Sequence, residues 1–281
     1  MAMLWFYCDE SYDSPQHRPR NYCVAGLFGE ERTFKKLEDN WTGINTRCGV
    51  SRFHAAPLNA RDGEYAGWNR GQQQQYSKRL LKAFQKRGGN LQVTSIGIHA
   101  DAYRQLFSLQ AQERFGHPYI ACFKMCIAML ASYMRKLPSE YQLSVIFERN
   151  ELSADIVKAF YLLKDLDADI GSRLEMCIPG QWDKNVSLQP ADLVAYESMR
   201  LIRDKRTGTD MRWAFKQLLG VSGFMGYYLD ANALKDMAPL AEQATCLPGG
   251  WLPVSPQFDP EYVEGDTWED IERKKITSGR S

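Results

Sequence analysis

The N-terminal run Leu4-Trp5-Phe6-Tyr7-Cys8 is apolar and aromatic, and it ends in two adjacent acids, Asp9 and Glu10. A run of this length and composition predicts a buried β-strand. Acids at the end of such a strand lie at the rim of a sheet, where the catalytic groups of α/β folds often lie. The start of the chain therefore predicts a sheet-based fold with a polar site at the edge of the sheet.

The overall composition is that of a folded protein without a strong charge bias. With 281 residues, of which 44% are hydrophobic, the chain can form one large α/β domain or two small ones. Its formal net charge of +1 does not indicate a general nucleic-acid binder, although a local basic groove remains compatible with it. Seven scattered cysteines without a CxxC motif favour free thiols and a cytoplasmic location. No signal peptide or membrane-spanning segment is expected, so a membrane partner is not predicted.

The pattern of apolar residues predicts strands that alternate with helices, which is typical of an α/β fold. We expect a main domain over residues 1–203, and then a helical extension with an acidic, proline-containing tail over residues 204–281. Residues 51–58 are expected to form a short strand or extended turn that stops at Pro57. The predicted strands are 3–8, 22–28, 91–99, 142–147 and 174–178, and the predicted helices are 30–48, 72–86, 119–137, 152–166, 188–202, 213–219 and 231–244.

Three acids occupy comparable places in these elements. Asp9 and Glu148 each end a predicted strand, and Asp192 lies in the predicted first turn of an otherwise apolar helix. Carboxylates are the ligands that Mg²⁺ and similar hard cations prefer, and carboxylate-held ions support phosphodiester hydrolysis. Each acid also has a simpler explanation: a turn residue for Asp9, a helix cap for Glu148 and a favourable interaction with the helix dipole for Asp192.

Several motifs together resemble an RNase H-like family that is catalogued as domain of unknown function 3800. The motifs are Asp9-Glu10-Ser11 after an apolar strand, the strand 22–26, His54 in a short segment, the strand ending at Glu148, and Gln189-Pro190-Ala191-Asp192-Leu193. The resemblance spans about residues 3–203. The family often has an acid two residues before the histidine, where this chain has Arg52.

The resemblance implies an RNase H-like mixed sheet flanked by helices and metal-dependent nuclease chemistry. Asp9, Glu148 and Asp192 would be the catalytic metal ligands, with Mg²⁺ or Mn²⁺ as the cofactor. The supporting residues would be Glu10 as a fourth acid or orienting group, Ser11 and His54 of the motifs, Gln189 beside Asp192 or a phosphate, and Lys184 against phosphate charge.

These expectations leave three functions open. A metal-dependent nuclease with a nucleic-acid partner is the leading hypothesis, with DNA and RNA not distinguished. A catalytically silent RNase H-like binding module and a phosphoesterase acting on a small nucleotide are the alternatives. Tyr12 and Trp182 are candidates for stacking against bases. A basic helix face that includes Lys78 and Lys82 is expected to be a solvated surface, with phosphate binding as the less favoured reading.

Overall fold

The computed structural model describes residues 2–13, 19–87, 91–166, 168–207, 212–219 and 223–244. They form a mixed α/β fold around a six-stranded sheet, in the spatial order β5-β4-β1-β2-β3-β6. The neighbours β1/β2 and β2/β3 are antiparallel, whereas β1/β4, β4/β5 and β3/β6 are parallel. The strands are β1 (Ala2–Tyr12), β2 (Asn21–Glu30), β3 (Leu91–His99), β4 (Tyr141–Glu148), β5 (Leu174–Gly180) and β6 (Gly223–Leu229).

Helices cover both faces of the sheet. One face packs against α4, α5, α6, α7 and α11, and the other packs against α1, α2, α3, α9 and α10. The helices of the described residues are α1 (Glu31–Cys48), α2 (Ala55–Ala60), α3 (Arg70–Arg87), α4 (Ala100–Leu106), α5 (Leu109–Phe115), α6 (Pro118–Met134), α7 (Ser153–Leu166), α8 (Ala168–Arg173), α9 (Leu188–Thr207), α10 (Trp213–Leu219) and α11 (Ala231–Ala244).

The central strand β1 divides its side chains between these two layers, because successive residues of a strand point to opposite faces. Leu4, Phe6 and Cys8 are buried in the core that contains α6. Trp5 and Tyr7 pack into the core that contains α9. The alternation therefore directs Asp9 toward α9 and Glu10 toward α6, so the side chains of the two adjacent acids lie on opposite faces of the sheet.

Most of the elements expected from the sequence are present. The first two strands are an antiparallel pair, and Leu91–His99, Trp213–Leu219 and Ala231–Ala244 have the predicted bounds. Helix α1 ends at Gly49, whose φ of 68° places it in the left-handed conformation. This conformation lets the Gly49 amide donate to the last carbonyls of the helix, which is the usual role of glycine there.

Two expectations about secondary structure need correction. Of the short strand or extended turn expected over residues 51–58, only the turn is present, over 51–54; α2 then begins at Ala55, and Pro57 is its third residue and does not stop it. Proline is tolerated there because the first-turn amides of a helix have no intrahelical partner. In the C-terminal segment, which was expected to be helical, Gly223–Leu229 forms the edge strand β6 beside β3.

The predicted division at residue 203 falls inside a helix, since α9 continues to Thr207. The predicted tail from residue 247 lies outside the described residues, as does His17 in the loop after β1. Among the described helices, none combines the length and the apolar character needed to cross a membrane.

Candidate active site

Asp9 lies inside β1 and is only 7% exposed. The strand continues three residues beyond it, so Asp9 does not end the strand as predicted. Its Oδ1 accepts a hydrogen bond from the Glu10 amide at 2.9 Å. The turn after the strand is instead organised by Asp13, whose Oδ1 accepts from the amides of Arg20 and Asn21. A turn-forming role therefore does not explain the buried carboxylate of Asp9.

Glu148 is the last residue of β4, as expected, and β4 lies parallel beside β1. Cys8 pairs with Phe147 in that ladder, so Asp9 and Glu148 are the next residues along the two neighbouring strands. Helix α7, which follows β4, has its own local cap: Asn150 Oδ1 accepts from the Leu152 amide, and Ser153 Oγ accepts from the Asn150 amide. Glu148 is thus not needed as a helix cap.

Asp192 comes from α9, the helix that packs across β1 and β2. The helix begins at Leu188 as predicted, which makes Asp192 its fifth residue, just past the first turn, where the N-terminal dipole acts most strongly. Its Oδ2 accepts from the Ala55 amide at 2.9 Å. One oxygen of Asp9 and one of Asp192 are therefore held by backbone amides, and each carboxylate has a second oxygen that can face a ligand.

The three acids act on one another electrostatically. Burial raises the pKa of Asp9 well above that of an ordinary aspartate, and the charges of Glu10, Asp192 and Glu148 raise it further. Burial is also the main reason that the pKa of Asp192 rises to about 7, although its hydrogen bond from Ala55 opposes the rise. The pKa of Glu148 is raised by burial and by Glu10. A carboxyl whose pKa is raised by folding lowers the stability of the fold at neutral pH. Carboxyls with raised pKa values are therefore more common at functional sites than at purely structural ones.

Gln189 supports the acids indirectly. Its Oε1 accepts from Asn45 Nδ2 at 2.9 Å and from the Phe53 amide at 2.8 Å, and Tyr76 Oη in turn donates to Asn45 Oδ1. It was expected to hold Asp192 or a phosphate directly. The structure instead uses it to hold the segment that carries Ala55, whose amide binds Asp192. Asn45 is a participant that sequence reasoning missed, because nothing in its helix distinguishes it.

Replacing Gln189 by Leu should lower the free energy of unfolding by about 2–4 kcal/mol, because two buried donors, Asn45 Nδ2 and the Phe53 amide, lose their acceptor. Chemical denaturation measures this loss. The same exchange at Gln75, an exposed position on α3, is the matched control and should change stability by less than about 0.5 kcal/mol. Equal stabilities of the Gln189→Leu variant and the wild type would contradict this assignment.

Glu10 was predicted as a fourth acid or an orienting group, and the structure favours an orienting role. Its Oε2 accepts from Tyr119 Oη at 3.2 Å and its Oε1 accepts from Asn150 Nδ2 at 3.1 Å. Asn150 Nδ2 also lies 3.2 Å from Tyr119 Oη. Sequence reasoning missed Tyr119 and Asn150, since their contact with Glu10 depends on the packing of α6 against the sheet. Ser11 lies two residues beyond Asp9, on the same face of β1.

The remaining predicted residues lie around this centre. His54 precedes α2, and its backbone amide donates to Tyr65 Oη at 3.1 Å. Burial and the charge of Arg52 lower the pKa of His54. Lys184 is exposed in the turn before α9, and within the described part of the chain the structure shows no contact between it and the three acids. Its expected action on phosphate therefore stays a prediction.

Arg52, two residues before His54, carries a positive charge to this site. Its guanidinium lies over the ring of Trp182, 4.6 Å from the centroid. The charge of Arg52 lowers the pKa values of Glu148 and Asp192 and so partly offsets the repulsion between the acids. A cleft of about 320 Å³ adjoins Glu148 and is lined by Arg149, Gly180, Gln181, Trp182 and Asp183.

The chemistry of this donor set fits a hard divalent cation, because its ligand atoms would be carboxylate oxygens on one side of the sheet. Asp9 is buried and Asp192 is partly buried, and both carry raised pKa values, as expected of ligands that a cation would stabilise in the charged form. Among the described residues, however, no three His, Cys, Asp or Glu side chains are already arranged closely enough to hold a metal. A bound cation would therefore have to draw the carboxylates together.

Comparison with known proteins yields little. No family model matches the chain, and no curated protein matches it. Among solved structures, the chain is similar to one in the structure of the PCNA:RNase HII complex from Archaeoglobus fulgidus, at 12% sequence identity and a TM-score of 0.31. That similarity covers 78% of this chain and 87% of the other.

Proposed function

We propose that this chain is an RNase H-like nuclease that hydrolyses phosphodiester bonds with Mg²⁺ or Mn²⁺. The proposal rests on one observation: Asp9, Glu148 and Asp192, from three different elements, converge on one side of the sheet. The cost of burying mutually repelling carboxylates is hard to explain by stability alone. The mixed sheet with helices on both faces is the architecture that the resemblance of the sequence motifs implies.

Each residue has a distinct task in this proposal. Asp9, Glu148 and Asp192 would hold one or two divalent cations, which when bound supply an activated water and stabilise the departing oxygen. The amides of Glu10 and Ala55 fix the orientation of Asp9 and Asp192. Arg52, stacked on Trp182, is placed to bind a phosphate oxygen, since a guanidinium is well suited to that contact.

The test is a cleavage assay with the full-length chain after treatment with EDTA. Labelled single- and double-stranded DNA, RNA and an RNA–DNA hybrid are incubated with Mg²⁺, with Mn²⁺ or with EDTA. We expect at least one polymer to be cleaved with a divalent cation and none with EDTA. Absence of cleavage for every polymer and cation would contradict the proposal.

A catalytically silent RNase H-like binding module is the second candidate. It is favoured by the finding that, in the described residues, the acids do not form a preset metal site. Such a module would bind nucleic acid equally well in EDTA and in Mg²⁺, and it would cleave none of the polymers. The same assay, combined with a binding measurement, therefore separates the two functions.

A further inference from the structure

A second cleft, of about 630 Å³, lies beside the segment whose Ala55 amide binds Asp192. It lies between α2 and α3 on one side and α9 and α10 on the other. Ala55 and Leu193 are among its lining residues. Because the Ala55 amide binds Asp192 and Leu193 follows Asp192 in the chain, this cleft adjoins the Asp192 side of the candidate active site. We refer to it below as the α3–α10 cleft.

The charge of the α3–α10 cleft is strongly positive, in contrast to the near-neutral chain. Arg61, Arg70 and Lys78 line it and are exposed, and among the described residues the structure shows no ion pair for any of them. The acid in its lining is Glu197, whose side chain is 4% exposed and whose Oε1 lies 3.3 Å from Nη1 of Arg212. That pair leaves the three exposed cations as a net positive surface. A cluster of this kind suits a ligand with several phosphates.

An aromatic ring lies among these cations. Trp213 is 48% exposed, an unusual degree for a tryptophan, and Lys78 Nζ lies 5.9 Å from its ring centroid. An exposed ring beside a cation offers a base a stacking surface and offers the adjoining phosphate a counter-charge. Asn59 and Gln74, also exposed in the lining, add polar groups that can contact sugars or bases.

We propose that the α3–α10 cleft binds single-stranded nucleic acid and leads the strand to the acids. A single strand is favoured over a duplex because stacking on Trp213 requires an unstacked base. A free mononucleotide would contact only part of this group of three cations, so a strand uses the cleft more fully. Cleavage of the bound strand rests on the proposed function, whereas the binding itself does not.

The test is fluorescence anisotropy in EDTA, so that no strand is cleaved, with labelled DNA and RNA single strands of about 12 nucleotides. The variant Arg61→Ala/Arg70→Ala/Lys78→Ala removes three charges from the cleft. If each cation binds one phosphate, the slope of log affinity against log salt should become shallower by about 2, and affinity at low salt should fall at least about 30-fold. The matched control, Lys35→Ala/Lys36→Ala/Lys82→Ala, removes three exposed charges outside the cleft and should lose less than about threefold.

A second variant, Trp213→Ala, tests the stacking surface and should weaken strand binding about tenfold with little change in salt slope. The proposal is overturned if the cleft variant binds like the wild type, if the control loses as much affinity as the cleft variant, or if the wild type binds duplexes or mononucleotides as tightly as strands. Cation-dependent cleavage is measured separately. Strand binding that is lost in the cleft variant, without any cleavage by the wild type, would uphold the cleft and refute the nuclease.

Discussion

Asp9→Asn should reduce cation-dependent cleavage at least about 10³-fold, because the variant loses a charged ligand and with it several kcal/mol of stabilisation of the transition state. The fold should survive the exchange. Asn keeps an oxygen that can accept from the Glu10 amide, which now donates to Asp9 Oδ1 at 2.9 Å. Single-turnover cleavage rates at saturating cation, together with circular dichroism, measure both expectations.

The neighbouring residue provides the matched control. Glu10→Gln removes a negative charge one position away, but the Glu10 side chain points to Tyr119 and Asn150 on the opposite side of the sheet. The control should therefore keep its cleavage rate to within about tenfold of the wild type. Equal losses in the two variants would show that cleavage depends on the general negative charge at this sheet edge. They would refute the assignment of Asp9 as a specific ligand.

Asp192→Asn should make the cation-free protein more stable at neutral pH, by about 1–3 kcal/mol. Burial raises the pKa of Asp192 to about 7, against about 3.9 in an unfolded chain. Between these values the folded state holds a proton that the unfolded state has released, so the stability of the wild type falls as pH rises through this window. Below about pH 4 both states are protonated, and the variant should have no advantage there.

Thermal unfolding in EDTA at several pH values measures this effect. The variant should unfold about 5 °C higher than the wild type at pH 8 and at nearly the same temperature at pH 4. Asp39→Asn, at an exposed position on α1, is the control and should shift unfolding little at either pH. A destabilised Asp192→Asn variant at pH 8 would mean that the charged carboxylate serves the fold, which contradicts a functional explanation of its burial.

The order of strands and helices could be predicted largely from local patterns. Apolar runs such as residues 91–99 alternate at the period of a strand, and α1 ends at Cys48, the last residue of the predicted helix 30–48. The strand β6 could not be predicted in this way. Its sequence, Gly-Phe-Met-Gly-Tyr-Tyr-Leu, has two glycines and no clear alternation, and it is a strand because the edge of β3 offers it hydrogen-bond partners.

The acids of the candidate site could be proposed from the sequence, but the residues that contact and orient them could not. Asp9, Glu148 and Asp192 were identifiable because each is a charge in an apolar element. Their convergence agrees with the motif resemblance, but their role as metal ligands stays a proposal. The contact between Gln189 and the Phe53 amide depends on the turn before α2, a segment that was predicted only as a short strand or extended turn. The partner of Glu10, Tyr119, follows from the packing of a helix across the sheet, which local sequence does not encode.

The most direct test of the three-acid site is Mn²⁺ binding measured by calorimetry. The wild type is compared with the double variant Asp9→Asn/Asp192→Asn, both after treatment with EDTA. We predict that the wild type binds Mn²⁺ and that the double variant does not, because neutral amides cannot replace the lost charge. Absence of binding to the wild type, or equal binding to both proteins, would contradict a metal centre formed by Asp9, Glu148 and Asp192.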